Sequence, residues 1–256
     1  MDEIERQGAA LFAALRDRRP IPPLRGRVPG LDLDMAYAIS SAMLRRRLAA
    51  GERVVGRKIG VTSAAVQQML GVFEPDFGTL TDAMMGGTTL PISSTLIQPR
   101  AEGEIALRLG RDLDGADTSP EAVEAAVEAV LPCFEIVDSR IEGWRIGIED
   151  TVADNASSGL FVVGEAASPA GFDWEGCEMR VWKNGAPLSQ GFGRAALGSP
   201  LRSAAWLART LARFGVPLRA GDIVLTGSLV PLEPVVAGDR MALTLSGAGR
   251  LEVCFT

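Results

Sequence analysis

The chain has 256 residues, 47% of them hydrophobic, a formal net charge of −6 and no histidine. Its length and apolar content suffice for a sizeable core, and an acidic balance without a basic cluster excludes a nucleic-acid-binding surface. The lack of histidine excludes Ser-His and Cys-His catalytic pairs as well as histidine-ligated zinc or iron.

Along the chain, Ile4, Leu11, Phe12 and Leu15 fall at helical spacing until Pro20, Pro22 and Pro23 break the pattern. A second helix is expected from Asp34 to Ala50, with Met35, Ile39, Met43, Leu44 and Leu48 inward and Gly51 as its stop. Arg45-Arg46-Arg47 then lies in the last turn, where positive charge complements the helix dipole. A strand, Val54 to Ile59, precedes a short helix opened by Thr62 or Ser63 and closed by Gly71. From about residue 88 the pattern turns largely to strands. One helix interrupts it, with Ser119 as cap, Pro120 at its first position and Ala122 to Val130 as its body. Another follows Pro200 and ends before Gly215. Lys183-Asn184-Gly185-Ala186 predicts a hairpin, because Asn-Gly suits a type I′ turn. Ile223 to Thr226, Met241 to Leu245 and Leu251 to Phe255 complete the strands. The expected organisation is α+β: a small helical N-terminal lobe, residues 1–52, on a β-rich core of mixed sheets, residues 53–256.

Cys133, Cys177 and Cys254 show no CxxC spacing and suit buried free thiols in a reducing compartment. The charged start Met1-Asp2-Glu3-Ile4-Glu5-Arg6 has no signal-peptide core, and no apolar run approaches the ~18 residues of a membrane span. A cytoplasmic protein without membrane contact is expected.

Glu102 and Glu104 stand in an apolar-rich run that reads as a strand, where residues i and i+2 project to one face. Either the pair is exposed at a sheet edge, or it is buried and neutralised by a cation. An all-oxygen site suits a hard divalent cation such as Mg²⁺ or Mn²⁺. Glu135, in the apolar run Cys133 to Asp138, completes a facial carboxylate trio if its strand lies beside that of Glu102. Lys58, between Gly56 and Gly60 in an apolar strand, either snorkels to the surface or serves a buried site as an anion binder or acid/base group. Asp76 after Pro75 is a turn former or a functional acid. The polar stretch Asp150 to Gly159, including Asn155, Ser157 and Ser158, is a capped loop or a pocket wall. Gly191-Phe192-Gly193 lacks the dinucleotide spacing and there is no GxxxxGK[ST] loop, so no nucleotide cofactor is expected.

These segments resemble the 2-keto-4-pentenoate hydratase family of the fumarylacetoacetate hydrolase superfamily. The likeness rests on Gly56 to Thr62, Gln67 to Gly71, Pro75 to Leu80, Pro99 to Leu107, Glu135 to Ile141, Asp150 to Gly159 and Gly221 to Gly227, in family order over about residues 50 to 250. The resemblance implies a fumarylacetoacetate-hydrolase-like core and metal ligation by Glu102, Glu104 and Glu135. It implies a substrate pocket containing Lys58 and Asp76, lined also by Asn155, Ser157 and Ser158. It further implies hydration of 2-hydroxypenta-2,4-dienoate to 4-hydroxy-2-oxopentanoate in meta-cleavage catabolism of aromatic compounds. The superfamily's hydrolases activate water with a histidine, which this chain lacks, and Pro75-Asp76-Phe77-Gly78 looks like the hydratase branch rather than the 4-oxalocrotonate decarboxylase branch. That decarboxylation is the alternative activity, and a non-catalytic assembly partner the alternative outside enzymes. The resemblance also implies a homo-oligomer and association with a paralogous decarboxylase.

Overall fold

The computed structural model describes residues 1–62, 67, 74–113, 115 and 118–256. Helix α1 (Glu3–Asp17) begins where the Asp2 carboxylate accepts from the Glu5 N–H at 2.8 Å, and α2 (Leu33–Ala49) where Asp32 accepts from the Met35 N–H at 2.8 Å. Both caps serve amides that have no intrahelical partner. Leu11, Ile39 and Met43 of this pair share a core with Ile141, Val152 and Ala153 from much later in the chain.

The buried stripe of α2 runs through Ala36, Ile39, Met43 and Arg47, so Leu48, expected inside, is 40% exposed. One residue turns a helix by about 100°, which carries Leu48 off that stripe and Arg47 onto it. There the guanidinium pairs with Glu52 at 2.8 Å and donates to Thr81 Oγ1 at 3.1 Å. The short helix expected between Thr62 or Ser63 and Gly71 lies outside the described residues, Thr62 and Gln67 apart.

The other α-helices among the described residues include α3 (Ile92–Thr95), α4 (Pro120–Ala126), α5 (Ile148–Ala153) and α6 (Pro200–Arg213). Strands β1 (Val54–Gly60), β2 (Asp76–Thr81), β4 (Arg100–Leu109), β5 (Val127–Val137), β6 (Ser158–Val163) and β9 (Ile223–Ser228) build one sheet in the order β2-β1-β9-β4-β5-β6, with β10 (Glu233–Pro234) also pairing with β4. Strands β3 (Thr89–Leu90), β12 (Gly249–Phe255), β11 (Arg240–Leu245), β7 (Glu178–Lys183) and β8 (Ala186–Phe192) form the second, in that order. The β1–β9 pair is parallel within an otherwise antiparallel large sheet, so the sheets are mixed as expected. The β7–β8 hairpin turns on Asn184 and Gly185 with φ of 53° and 82°, as a type I′ turn requires.

The helix expected over Ala122 to Val130 stops at Ala126, and Val127 opens the eleven-residue strand β5. A nearly continuous apolar run buried on both faces fits a central strand, and pairing with β4 and β6 outweighs the local helical pattern. The main core holds Ile105, Phe134 and Ile136 of the large sheet together with Met179, Leu243 and Val253 of the second sheet and Leu207 of α6. The opposite face of the large sheet carries a smaller cluster, Leu80, Ala106, Leu131 and Phe161 among its members. Among the described residues no helix is long and apolar enough to cross a membrane.

Candidate active site

Antiparallel pairing of β4 and β5 puts Glu102 directly opposite Glu135, and Glu104 opposite Cys133. Glu102 and Glu104 share a face by the two-residue repeat of a strand, so all three carboxylates enter one space. One oxygen from each lies within 4.8 Å of the others. Glu104 and Glu135 are fully buried, while Glu102 is half-buried at the cavity wall. Glu104 Oε2 accepts from the Gly227 N–H at 2.8 Å. That amide is presented at an irregularity of the β4–β9 register, where Gly227 has φ +101° and a Cβ would lie 2.1 Å from Thr62 Oγ1. Among the described residues, Glu104 Oε1 and both oxygens of Glu135 accept no hydrogen bond.

Lys58 reaches this trio from β1. In the sheet β9 and β4 stand between β1 and β5, a flat separation of about 14 Å. Nevertheless Lys58 Nζ is 3.3 Å from Glu135 Oε1, because the sheet curls and its concave side chains converge. Asp76 on β2, opposite Gly60 of β1, joins them with 1% exposure and, among the described residues, no hydrogen-bond partner on either oxygen. Gly60 makes the room: a Cβ there would lie 2.2 Å from Asp76 Oδ1 and 3.3 Å from Lys58 Nζ.

Burial, and then the Glu135 charge, pushes the Glu102 carboxyl up to about 7. Burial likewise raises Glu104 well above the usual carboxylate range, and raises Glu135 and Asp76 despite the opposing pull of Lys58. Burial alone would lower the Lys58 ammonium, but Glu135, Asp76, Glu102 and Glu104 outweigh it and hold the amine above its ordinary value. The site thus has an excess of buried negative charge and orphaned acceptors, the environment a divalent cation satisfies.

A cavity of about 330 Å³ opens beside the trio, with Lys58, Asp76, Glu102 and Ser157 in its wall. Of the expected pocket residues, Asn155 and Ser158 are not among its lining. The Asn155 side chain is consumed by β2, accepting from the Thr79 N–H at 2.8 Å and donating to the Thr79 carbonyl at 2.9 Å. Ser158 Oγ donates to the Asn155 carbonyl at 2.7 Å. These bonds brace a turn in which Asn155, Ala156 and Ser157 have φ of 55°, 52° and 52°. Three consecutive left-handed non-glycine residues are costly and persist only where the surroundings over-determine them. Arg140, fully buried, supplies that constraint: its Nε lies 2.5 Å from Asp154 Oδ1 and its Nη1 donates to the Ser158 carbonyl at 2.7 Å. The turn leaves Ser157 buried in the cavity wall, its Oγ without a partner among the described residues.

Arg100, Trp144, Thr62 and Ser228 also line the cavity and were not singled out in the sequence. Arg100 was legible in principle, since it stands two residues before Glu102 on the same strand face. Trp144 comes from a separate turn, and no local pattern announces it.

Residues 63–256 match the family model for the fumarylacetoacetate (FAA) hydrolase C-terminal region. A 2-hydroxyhexa-2,4-dienoate hydratase of Comamonas testosteroni is 51% identical over 257 aligned positions, covering 99% of this chain and 97% of the relative. A 2-hydroxypent-2,4-dienoate hydratase of Pseudomonas putida is 57% identical over 216 positions, covering 83% of this chain and 97% of the relative. Among solved structures, 4-oxalocrotonate decarboxylase from Pseudomonas putida G7, complexed with magnesium and adipate, superposes with a TM-score of 0.95 at 32% identity, covering 99% of this chain and 97% of that one. On sequence and fold together, the chain belongs to the 2-keto-4-pentenoate hydratase family of the fumarylacetoacetate hydrolase superfamily.

Proposed function

We infer that the protein is a hydro-lyase that converts 2-hydroxypenta-2,4-dienoate and water to 4-hydroxy-2-oxopentanoate in meta-cleavage catabolism. The observation that carries this reading is the convergence of Glu102, Glu104 and Glu135 with Lys58 and Asp76 beside one cavity. Identity of 51% and 57% to two hydratases, against 32% to the decarboxylase, favours hydration over decarboxylation.

Glu102, Glu104 and Glu135 would hold a divalent cation, and their all-oxygen donor set suits Mg²⁺ or Mn²⁺. Such a cation supplies Lewis-acid polarisation of the substrate's 2-oxygen and charge stabilisation at that end. The chain's own residues handle protons. Net hydration puts a proton at C5, hydroxide from water at C4 and a proton at C3, while the 2-hydroxyl gives up its proton as the 2-oxo group forms, so that one water is added in all. Asp76, kept more protonated by burial, is the acid candidate for C5. Lys58 lies against the same space, where it relays protons and offsets the carboxylate charge. Ser157 Oγ, with no partner among the described residues, is a hydrogen-bonding contact for substrate or water.

The test is the ultraviolet absorbance of fresh 2-hydroxypenta-2,4-dienoate with purified protein, first with Mg²⁺ or Mn²⁺ and then with EDTA. Rapid cation-dependent loss of the dienol with 4-hydroxy-2-oxopentanoate as product supports the reading. CO₂ release from 4-oxalocrotonate without dienol hydration would replace it with decarboxylation. The same reading assigns the protein to the cytoplasm as a homo-oligomer able to associate with a paralogous decarboxylase, which sedimentation of the protein alone and mixed with such a decarboxylase examines.

A further inference from the structure

Arg100 leaves β4 on the same face as Glu102, about 7 Å before it along the strand. It lines the cavity, half-buried, with its Cζ 4.6 Å from the centroid of the Trp144 ring. Trp144 is itself fixed, its indole N–H donating to the Gln98 carbonyl at 3.0 Å. Among the described residues no carboxylate pairs with this guanidinium, although arginines elsewhere in the chain repeatedly find one. A stacked guanidinium with free edges is a preorganised receptor for a planar anion, because its donors match the two oxygens of a carboxylate.

Lys58, the other cation in the wall, is placed differently. It is 4% exposed, engaged with Glu135 and hemmed by Asp76, so its charge is already answered by the protein. With Asp76 and Lys58 serving C3 to C5 of a dienoate, the carboxylate end lies towards β4. Val137, Ile146 and Leu232 supply apolar wall for the hydrocarbon part.

We propose that Arg100, steadied by Trp144, docks the substrate's C1 carboxylate and leaves Lys58 free for proton transfer. The proposal rests on the hydratase reading of the same site for the direction in which substrate lies. It assigns 2-oxo and 2-hydroxy acids with a free carboxylate as the ligand class and disfavours their neutral amides.

The experiment is calorimetric titration of the magnesium-loaded protein with 2-oxopentanoate, an unreactive saturated analogue, and with 2-oxopentanamide. Arg100→Gln is expected to weaken the acid by roughly 10- to 100-fold, the size of a lost charge-assisted pair, while the amide's Kd and the thermal midpoint stay in place. Arg100→Lys should recover part of the loss, since it keeps the charge without the fork. Trp144→Leu, which removes the stacking platform and its indole bond to the Gln98 carbonyl but keeps the guanidinium, should give an intermediate loss for the acid with the amide's Kd unchanged, and serves if Arg100→Gln does not fold. An unchanged Kd for 2-oxopentanoate in Arg100→Gln overturns the proposal. Equal weakening of acid and amide also overturns it, because Arg100 would then only shape the wall. Dienoate turnover is measured separately: its absence alongside Arg100-dependent acid binding would sink the hydratase reading and leave the docking role standing.

Discussion

Glu102 and Glu135 face each other directly across the β4–β5 pair, two acidic side chains at one register position in the interior of a sheet. Like charges placed opposite on neighbouring strands repel, and burial multiplies the cost. With Glu104 one pleat further on, the fold concentrates negative charge where Lys58 alone cannot neutralise it.

Cation binding is therefore expected to stabilise the folded chain. Mg²⁺ or Mn²⁺ added to EDTA-treated protein should raise the thermal midpoint, by the equivalent of about 2.7 kcal/mol at a hundredfold excess over Kd. Glu104→Gln should abolish hydration and remove most of that shift. Calorimetry with and without cation checks it, and an equal shift in the variant removes Glu104 from the ligand set.

The stability of the cation-free protein should fall as pH rises. Glu102 titrates near 4.5 in a model peptide and about 7 in the fold, and Glu104, Glu135 and Asp76 are raised in the same direction. An acid with a raised folded pKa makes the native state bind more protons than the unfolded one across that interval. The contribution is thus full below about pH 4.5 and is lost as pH passes through 7. Urea midpoints in EDTA at pH 5 and pH 8 should show the decline, and saturating cation should shrink it. A midpoint that rises with pH in EDTA contradicts the burial of these carboxylates.

Gly60→Ala should damage activity more than stability. Its methyl group would meet Asp76 Oδ1 at 2.2 Å, so the carboxylate must move while the β1–β2 ladder stays paired. A displacement of about 1 Å at a reacting group costs on the order of 100-fold in rate. Steady-state kinetics beside a melting curve test this, and wild-type kcat would place Asp76 outside the chemistry.

Lys58→Met should lower kcat by about 10²- to 10⁴-fold, the range for removal of a positioned proton-transfer group. The variant also strips Glu135 of its only ion pair among the described residues. Single-turnover rates separate the proton-transfer step from substrate binding, and full turnover would end the assignment.

Arg140→Leu should cost about 3–5 kcal/mol, because it leaves Asp154 buried without a counter-charge. Burial already pushes that carboxyl up to about 6 with the arginine in place. Denaturant unfolding measures the loss. Hydratase activity should fall with it, since Arg140 braces the turn that presents Ser157.

Local rules had clear limits in this chain. The Asn184-Gly185 turn was legible because only a few residue types accept the positive φ that a type I′ turn demands. The helix capped by Ser119 was legible as far as Ala126, but not its end, because an apolar run buried on both faces has no periodicity to separate strand from helix. In the Asn155 to Ser158 stretch all three polar residues read alike. Hydrogen bonds from Thr79 and to the Asn155 carbonyl decide that two of them brace the turn and that Ser157 faces the cavity.

By itself the sequence determined the chemistry available: oxygen donors without histidine, Glu102 and Glu104 on one strand face, and motifs spanning most of the chain in family order. Tertiary structure alone decided which of these groups meet. The β4–β5 register brings Glu135 opposite Glu102, the curl of the sheet carries Lys58 to Glu135, and a turn distant in sequence lays Trp144 against Arg100. The division has a simple cause. Alternation along one strand is a property of neighbouring residues, whereas register, curl and cross-chain stacking come from packing between segments far apart in sequence.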